Sequence, residues 1–271
     1  MHRSIKIVIP SHGRWDTIKA FDFIPENYHE NVYVVTRAGE QYEKYVEHRN
    51  SLDGKWNVIF CDVKNIAEKR HFIANHFAGE KIWMLDDDCT LYTTVVTEKY
   101  VRPKEIPTEE EFYEMLEWCS NHLDTYPHMV IMHTIFPRAP KVYPYRKNVW
   151  CGGNAFLNLS IVNADLLQYN VCDHAEDTVA YLSVVDAGYD SLAIVKWLIK
   201  TVPMGATGGI TSVRTPQLIE DNSRKIHKMF PDHTRLKKSK PLKSHPDREF
   251  ETLVVRVKRK EKTNTLEGFF E

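Results

Sequence analysis

Three adjacent aspartates follow an apolar segment in the first third of the chain. The segment KIWML at 81–85 leads directly into Asp86, Asp87 and Asp88. Neighbouring carboxylates repel one another, so a stable fold needs positive charge close to them. Their oxygens suit Mg²⁺ or Mn²⁺, and either ion would also bind the phosphates of a substrate. The turn therefore predicts a divalent metal site. The alternative is a solvated acidic turn, because aspartate is common in turns.

A turn with polar side chains follows the first apolar run. Residues 4–9, SIKIVI, are stopped by Pro10 and the turn Ser11-His12-Gly13, and Arg14 comes next. Backbone N–H groups after a first strand, with Ser11 and Arg14 nearby, can hold a base or a diphosphate. The chain has neither GxGxxG nor GxxxxGK[ST], so a dinucleotide fold and a P-loop are not supported. The alternative is that this turn only connects two secondary-structure elements and binds no ligand.

The elements that must position these groups alternate between apolar and helical patterns. Strands are predicted at 4–9, 31–36, 57–63, 81–85, 129–135, 154–162, 192–199 and 252–257, and helices at 39–50, 66–78, 108–122 and 177–188. A loop is predicted at 136–150. This alternation predicts an α/β fold with a mixed, mainly parallel sheet flanked by helices. In such sheets ligands bind at the carboxyl ends of strands, where the three aspartates fall.

Composition and charge limit the classes of protein to consider. The chain has 271 residues, 42% of them apolar and 27% charged, which is typical of a globular protein with a sizeable core. No run is long enough to span a bilayer, and the N-terminus does not resemble a secretory signal, so a cytoplasmic protein is expected. Five scattered cysteines without CxxC spacing argue against a disulfide framework or a zinc site.

Positive charge is concentrated near the C-terminus. Between Asp221 and Lys262 there are 14 Lys and Arg residues against six Asp and Glu residues. Such a stretch can bind a phosphate backbone, although a solvated tail is the alternative. Residues 1–203 are predicted to form a catalytic core. Residues 204–271 are predicted to form a basic C-terminal extension that completes the part of the site where a second substrate, the acceptor, would bind.

Five motifs occur in an order that resembles the GT-A glycosyltransferases. They are VIPSHGR, a helix with Glu68-Lys69-Arg70, WMLDDD, WCGGNAF and HAEDTVAYLSVVDAGYDSLAI, and together they span residues 4–200. The LDDD turn, the HAEDTVAYL segment and the size of the chain also resemble the phage TET-associated glycosyltransferases. That family is thought to add sugars to hydroxymethylated pyrimidines in DNA. The resemblance implies a GT-A-like, Rossmann-type fold.

The resemblance also implies roles for individual residues. The nucleotide sugar, a UDP-sugar, would be bound by Pro10, Ser11, Arg14, Asp62, Lys69, Arg70, Asp86 and Asp87. Mn²⁺ or Mg²⁺ would be held by Asp86 and Asp88, with Asp88 as the direct ligand. Many members take a further ligand from a C-terminal histidine, and the sequence does not choose among His227, His233 and His245. A solvated helix face is the alternative for Lys69 and Arg70.

Acceptor-side roles follow from the same resemblance. The Glu176-Asp177 pair would supply the base that deprotonates the acceptor hydroxyl, with Asp177 preferred and the other residue capping the helix. Neighbouring positions on a helix diverge by about 100°, so only one of the two can serve as the base. The acceptor would be contacted by Trp150, Gly152, Gly153 and Asn154. The alternative is that this segment is a turn leading into a strand, with the tryptophan packed in the core and no contact to a substrate.

The resulting hypothesis is metal-dependent transfer of a sugar from a UDP-sugar to a hydroxyl, with 5-hydroxymethylcytosine in phage DNA as the leading acceptor. A 5-substituent points into the major groove, so base flipping is possible without being required. The alternatives are a glycosyltransferase for a glycan or another small acceptor, a nucleotidyltransferase, and a non-catalytic nucleic-acid-binding protein. A phage-encoded enzyme would act in the host cytoplasm. The sugar, the stereochemical outcome and the oligomeric state stay open.

Overall fold

The computed structural model describes residues 5–97, 100–134, 144–173, 175–201, 215–241 and 248–257. The strands are β1 (Lys6–Pro10), β2 (Val32–Arg37), β3 (Asn57–Cys61), β4 (Lys81–Met84), β5 (Thr90–Val96), β6 (Val101–Pro103), β7 (His128–His133), β8 (Tyr145–Lys147), β9 (Ala155–Asn158), β10 (Ser191–Lys200), β11 (Thr234–Ser239) and β12 (Phe250–Val255). The α-helices are α1 (Glu40–Ser51), α2 (Ile66–His76), α3 (Glu109–His122), α4 (Ala164–Leu167), α5 (Glu176–Asp186) and α6 (Pro216–Met229).

Ten of these strands form one sheet. Their order is β3-β2-β1-β4-β9-β7-β10-β5-β6, and β8 also pairs with β10. β1 pairs in parallel with β2 and β4, and β2 pairs in parallel with β3. Beyond the antiparallel β9, β7 and β10 are again parallel. β1 to β4, β7 and β10 therefore run in one direction, which confirms the predicted α/β class with a mixed, mainly parallel sheet.

Both faces of the sheet are covered by apolar side chains. Along β1, Ile7 and Ile9 enter one core, and Val8 enters the other. Helix α3 covers the first face through residues such as Phe112, and α2 covers the second through residues such as Ile73. Parallel strands need cover on both faces, which explains their nearly continuous apolar sequences. The five cysteines are free thiols within this interior.

Strands β5, β6 and β11 were not predicted from the sequence, and two of the predicted segments differ in the structure. The predicted loop 136–150 lies partly outside the described residues, and its described part contains β8, which pairs antiparallel to β10. Tyr145 packs there near Trp118, with ring centroids 6.4 Å apart. The predicted strand 154–162 ends at Asn158, because the Asn158 carboxamide oxygen accepts hydrogen bonds from the Ser160 N–H and hydroxyl at 3.2 and 2.5 Å. Side-chain bonding thus turns the chain out of the sheet.

Helix α3 begins with a reciprocal capping box. The Thr108 hydroxyl accepts the Glu111 N–H at 3.3 Å, and the Glu111 carboxylate accepts the Thr108 N–H at 2.8 Å. We expect Thr108→Ala to lower the free energy of unfolding by about 1 kcal/mol, because one helix N–H loses its partner. Urea unfolding checks this, with the exposed Thr125→Ala as the control. Equal losses in both variants would contradict the capping role.

The described part of the C-terminal segment folds into a helix and a two-stranded ribbon. Thr215 caps α6 by accepting the Leu218 N–H at 3.1 Å, and β11 and β12 pair antiparallel. Ile226 and Phe230 pack against α5 residues, including Leu182, in a third apolar cluster. The strand predicted at 252–257 is therefore β12, shifted by two residues. Among the described residues, no helix is both long and apolar enough to cross a bilayer.

Candidate active site

The aspartate turn lies at the carboxyl ends of parallel strands, as predicted, and Asp87 anchors it. Asp87 is only 6% exposed, and its carboxylate accepts the Ser11 hydroxyl at 2.5 Å. The same carboxylate pairs with the Arg14 guanidinium. The Tyr45 hydroxyl, in turn, bonds Ser11 Oγ at 2.6 Å and accepts the Arg14 N–H at 3.2 Å. Asp87 therefore fixes the turn after β1 against the turn after β4.

Asp86 and Asp88 are more open than Asp87. Their side chains are 32% and 22% exposed, and Asp88 also contacts Arg14 at 3.2 Å. Burial raises the pKa of the Asp88 carboxyl, and the neighbouring charge of Asp86 raises it further. Arg14 lowers this pKa without cancelling the rise. The ionised form of Asp88 is therefore disfavoured at this position, even with Arg14 beside it.

This donor set fits a divalent cation that is completed by a substrate. Within the described ranges, no group of three or more His, Cys, Asp or Glu side chains is arranged to hold a metal ion. Mg²⁺ usually takes one or two carboxylates and fills its other positions with water and substrate phosphates. Asp86 and Asp88 supply hard oxygen ligands of that kind. A bound cation would favour the ionised form of Asp88, which burial and the charge of Asp86 disfavour.

Arg70 joins the aspartate turn to the start of α5. The Arg70 guanidinium donates to Asp86 Oδ1 at 2.6 Å and to the Gly153 carbonyl at 2.8 Å. Its Nε lies 3.2 Å from a Glu176 carboxylate oxygen. Arg70 is 4% exposed, so the solvated helix face considered for it in the sequence is wrong. A planar guanidinium can hold several oxygen partners at once, which a lysine ammonium cannot do in the same geometry.

Lys69 is also buried, and it supports the turn after β1. Its ammonium donates to the Ser11 carbonyl at 2.6 Å, and its 4% exposure again excludes a solvated helix face. Burial lowers the Lys69 pKa to about 8, although Cys61 and Asp87 act in the opposite direction. The sequence interpretation missed this role because a helical stripe does not show which lysine faces a neighbouring strand.

Glu176 and Asp177 occupy the first turn of α5 in different environments. Glu176 is 6% exposed, and burial raises its pKa to about 7 even though Arg70 lowers it. Asp177 is half-buried and accepts the Thr178 N–H at 2.7 Å. The N-cap position is Ala175, at φ 63°, with no side-chain cap. Neither acidic residue is therefore the N-cap, which corrects that part of the prediction. The more open Asp177 is the one that a substrate can reach.

A cavity lies beside Asp62 at the same edge of the sheet. It has a volume of about 270 Å³ and is lined by His12, Arg37, Ala38, Gln41 and Asp62. The Gln41 carboxamide accepts the Gly13 N–H at 3.0 Å, which ties α1 to the turn after β1. The sequence interpretation named Asp62 but missed the others. Arg37 ends β2, so its place at a carboxyl end was the available signal.

The glycine segment before β9 differs in part from its predicted acceptor role. Trp150 is 37% exposed and can meet a ligand, whereas Asn154 is 1% exposed. The Asn154 carboxamide oxygen accepts the Asp86 N–H at 2.8 Å. Asn154 therefore supports the aspartate turn from the protein interior and does not contact the acceptor substrate. A Cβ on Gly153 would lie 3.1 Å from the Arg70 guanidinium and 3.3 Å from Asp177 Cβ. Gly153 therefore allows Arg70 to approach the backbone.

His133, at the end of β7, is a site residue that the sequence interpretation missed. Burial lowers its pKa, while Asp86 and Asp177 act in the opposite direction. The imidazole therefore lies within electrostatic reach of the carboxylates on both sides of the site. Its place at the carboxyl end of a parallel strand was the available signal.

Gly152 makes room for the His133 ring. Its φ is +111°, and a Cβ there would lie 2.7 Å from His133 Nε2. We expect Gly152→Ala to lower stability by about 1–3 kcal/mol and to reduce catalytic activity, because backbone strain adds to a displaced imidazole. Gly188→Ala is the matched control, since Gly188 has φ +92° and a Cβ added there would meet no heavy atom within 4 Å. If both variants lost activity equally in a kinetic assay, the contact with His133 would not explain the loss.

The candidate C-terminal histidines lie elsewhere or outside the described residues. His233 Nε2 is 3.4 Å from Asp186, ten residues beyond Glu176 on α5, which is about 15 Å along the helix. His227 bonds the Thr234 hydroxyl at 2.9 Å. Neither histidine therefore meets Asp86 or Asp88 in this arrangement. His245 lies outside the described residues.

Known proteins resemble this chain in sequence and in fold. Proteins named "Beta-glucosyl-HMC-alpha-glucosyl-transferase" from Enterobacteria phages T2 and T6 are each 28% identical over 274 residues, which covers 98% of this chain and 96% of theirs. The crystal structure of GalNAc-T7 with UDP, GalNAc and Mn²⁺ shares the fold, with a TM-score of 0.53 and 14% identity over 84% of this chain. The chain spans half the length of that protein.

The family assignment rests on a match to most of the chain. The model of the TET-Associated Glycosyltransferase family matches residues 5–203, which contain the aspartate turn, the glycine segment and the start of α5. The match favours a glycosyltransferase over the nucleotidyltransferase and non-catalytic alternatives. The protein is a glycosyltransferase with a GT-A-like fold, and it belongs to the TET-associated glycosyltransferase family.

Proposed function

We propose that this enzyme transfers a glucosyl group from UDP-glucose to a hydroxyl on hydroxymethylcytosine-containing DNA, with a divalent cation at Asp86 and Asp88. The observation that carries the proposal is the Arg70 bridge, which joins Asp86 at 2.6 Å to Glu176 at 3.2 Å. The bridge brings the donor carboxylates and the acceptor-side carboxylates into one site. Donor phosphates and an acceptor hydroxyl can meet there.

The donor half uses the edge of the sheet formed by the carboxyl ends of β3, β2, β1 and β4. The cavity beside Asp62 offers polar side chains for the base and ribose, and it adjoins the turn that holds Ser11. A cation at Asp86 and Asp88 would supply Lewis-acid stabilisation of the leaving diphosphate. Arg70 and Arg14 hold these two carboxylates in place, so little reorganisation is needed as negative charge develops. The GalNAc-T7 structure, solved with UDP and Mn²⁺, supports this choice of donor and metal.

The acceptor half uses the first turn of α5. Asp177 is half-buried and near Gly153, and it is the proposed base that takes the proton of the acceptor hydroxyl. Glu176 forms an ion pair with Arg70, and the proposed mechanism does not require it to contact the acceptor. Because the names of the phage T2 and T6 relatives join a glucosyl group to HMC, the acceptor is either the hydroxymethyl group or a sugar already attached to it. A phage enzyme of this kind would act on DNA in the host cytoplasm.

A coupled assay of UDP release tests donor and acceptor together. UDP-glucose, UDP-galactose and UDP-N-acetylglucosamine are each tested with plain, hydroxymethylated and glucosyl-hydroxymethylated duplexes, with Mn²⁺ or with EDTA. We expect release from UDP-glucose only with a modified duplex and only with the metal. Metal-dependent transfer to a glycan or free sugar, with none to any modified duplex, would replace DNA as the acceptor.

Asp177→Asn tests the proposed base. We expect kcat to fall by about a hundredfold or more, because a positioned general base contributes that much to hydroxyl attack. The KM for UDP-glucose should stay close to the wild-type value, since Asp177 faces the acceptor. Asp186→Asn, at the other end of the same helix, is the control and should retain activity. Unchanged kcat in Asp177→Asn would remove this residue as the base.

A further inference from the structure

The exposed face of the β11–β12 ribbon carries positively charged side chains that do not belong to the sugar-transfer site. One face of the ribbon packs inward, where Leu253 and Val255 join the apolar cluster of α5 and α6. Residues alternate between the two faces of a strand, so Arg235 and Lys237 point away from that cluster. Both are exposed, as is Arg256, which continues the alternation beyond Val254. We call these three residues the basic face.

The basic face is not neutralised by nearby acids. Among the described residues, no acidic group lies within ion-pair distance of Arg235, Lys237 or Arg256. Two acids of the same unit, Glu220 and Glu251, instead pair with Arg224 of α6 at 2.7 and 3.0 Å. The negative charge of these two acids therefore lies on the α6 side of the ribbon, opposite the basic face. A separation of this kind suits a polyanionic partner.

The ribbon runs alongside the helix that starts in the active site. Lys225 donates to the Val171 carbonyl at 2.5 Å, just before α5, while His233 lies 3.4 Å from Asp186 at the end of α5. Arg248, just before β12, contacts Gln217 near the start of α6. β11 therefore runs from the Asp186 end of α5 back toward its Glu176 end. A rod-like ligand on the basic face would extend toward the acceptor side of the site.

We propose that the basic face binds the phosphate backbone of the duplex that carries the acceptor. This inference rests on the proposed function, because it names the element that holds the DNA substrate of that reaction. Phosphate contacts position a duplex without reading its sequence, which suits an enzyme that recognises a modified base wherever it occurs. Double-stranded DNA is favoured because its dense phosphate charge matches an unpaired row of cations. The ribbon lies outside residues 5–203 and would add DNA binding to the sugar-transfer core.

The test replaces two members of the basic face, Arg235→Gln and Lys237→Gln, in one variant. The control variant is Arg49→Gln with Lys55→Gln, which removes the same charges near the amino end of β3. Binding to a short hydroxymethylated duplex is measured by fluorescence anisotropy over a range of salt concentrations. Each lost phosphate contact should reduce the slope of log K against log salt by about 0.9, so the ribbon variant should lose about 1.8. Its affinity at low salt should fall by about 10- to 100-fold, and the control should match wild type.

Kinetics separate this inference from the proposed function. In the ribbon variant we expect a higher KM for duplex DNA, an unchanged KM for UDP-glucose and an unchanged rate of donor hydrolysis without DNA. If wild type transfers glucose to the duplex but the ribbon variant binds DNA with the wild-type slope, the basic face is not the DNA contact. If the wild-type enzyme transfers glucose to no duplex at all, the proposed acceptor is wrong.

Discussion

Asp88→Asn should abolish sugar transfer while leaving the fold as stable as wild type or more stable. Burial and the charge of Asp86 raise the pKa of the Asp88 carboxyl, so its ionised form is disfavoured in the folded protein. Removing that charge relieves repulsion. The metal loses a direct ligand at the same time, and several kcal/mol of leaving-group stabilisation correspond to about a thousandfold or more in kcat.

The sign of the stability effect follows from linkage. A carboxyl whose pKa is raised in the folded state binds more protons there than in the unfolded chain. Its ionisation therefore destabilises the fold as pH rises through the folded pKa, and the penalty is absent below the unfolded pKa. Asp88→Asn removes this penalty at neutral pH. The gain should shrink in acid, where wild-type Asp88 is already neutral.

Two comparisons make this prediction specific. Asp16→Asn removes one exposed acid just after the turn that follows β1, and it should retain both activity and stability. Asp87→Asn should instead lower the free energy of unfolding by about 1.5–3 kcal/mol, because the buried Asp87 carboxylate accepts from Ser11 and pairs with Arg14. Kinetic assays and urea unfolding of the three variants provide the data. Full transfer by Asp88→Asn, or a strong loss of its stability, would contradict the metal-ligand role.

Arg70→Met should produce the largest loss of stability among the site variants. The substitution keeps an apolar side chain in place but leaves the buried Glu176 carboxylate and the Gly153 carbonyl without their cationic partner. Breaking a buried ion pair from one side costs about 3–5 kcal/mol. Activity should also fall, because Asp86 would no longer be held at 2.6 Å from a fixed cation.

The Arg70→Met loss should depend on pH. Without the guanidinium, the Glu176 pKa should rise above its wild-type value of about 7. A raised carboxyl pKa destabilises the folded state above that pKa and has no effect below the unfolded value. The deficit relative to wild type should therefore be larger at pH 8 than at pH 5. Urea unfolding at both pH values measures the difference.

A double variant and a surface control complete the design. Adding Glu176→Gln to Arg70→Met removes the stranded charge and should restore part of the stability lost at pH 8. Arg224→Met removes an exposed arginine that also pairs with two glutamates, and it should change the stability much less. If Arg70→Met unfolded no more easily than Arg224→Met, the bridge between Asp86 and Glu176 would not contribute to the stability of the fold.

The sequence predicted the sheet and its acidic edge because those features depend on local patterns. Apolar runs that end in Ser11 and Asp86 mark strand ends, and strand ends of a parallel sheet meet at one edge. The periodicity of α2 could not show that Lys69 and Arg70 are buried, since that depends on packing against Ser11 and Gly153.

Long-range contacts account for the other differences. The sequence around Asn154 does not reveal that its carboxamide supports Asp86, 68 residues away in the chain. His133 looked like one of 13 ordinary histidines until β7 was placed beside β9. The C-terminal histidines lay in the expected part of the chain, but α6 and β11 direct His227 and His233 to the far end of α5.

The most direct test of the central claim is the intact mass of a hydroxymethylated duplex after incubation with the enzyme and UDP-glucose. Parallel samples contain Mn²⁺ or EDTA, and a second set uses a duplex whose hydroxymethylcytosine already carries glucose. The account predicts a gain of one hexosyl unit on one of these duplexes with Mn²⁺, and no gain with EDTA or on plain DNA. No gain on either modified duplex with folded enzyme, or an undiminished gain in EDTA, would contradict it.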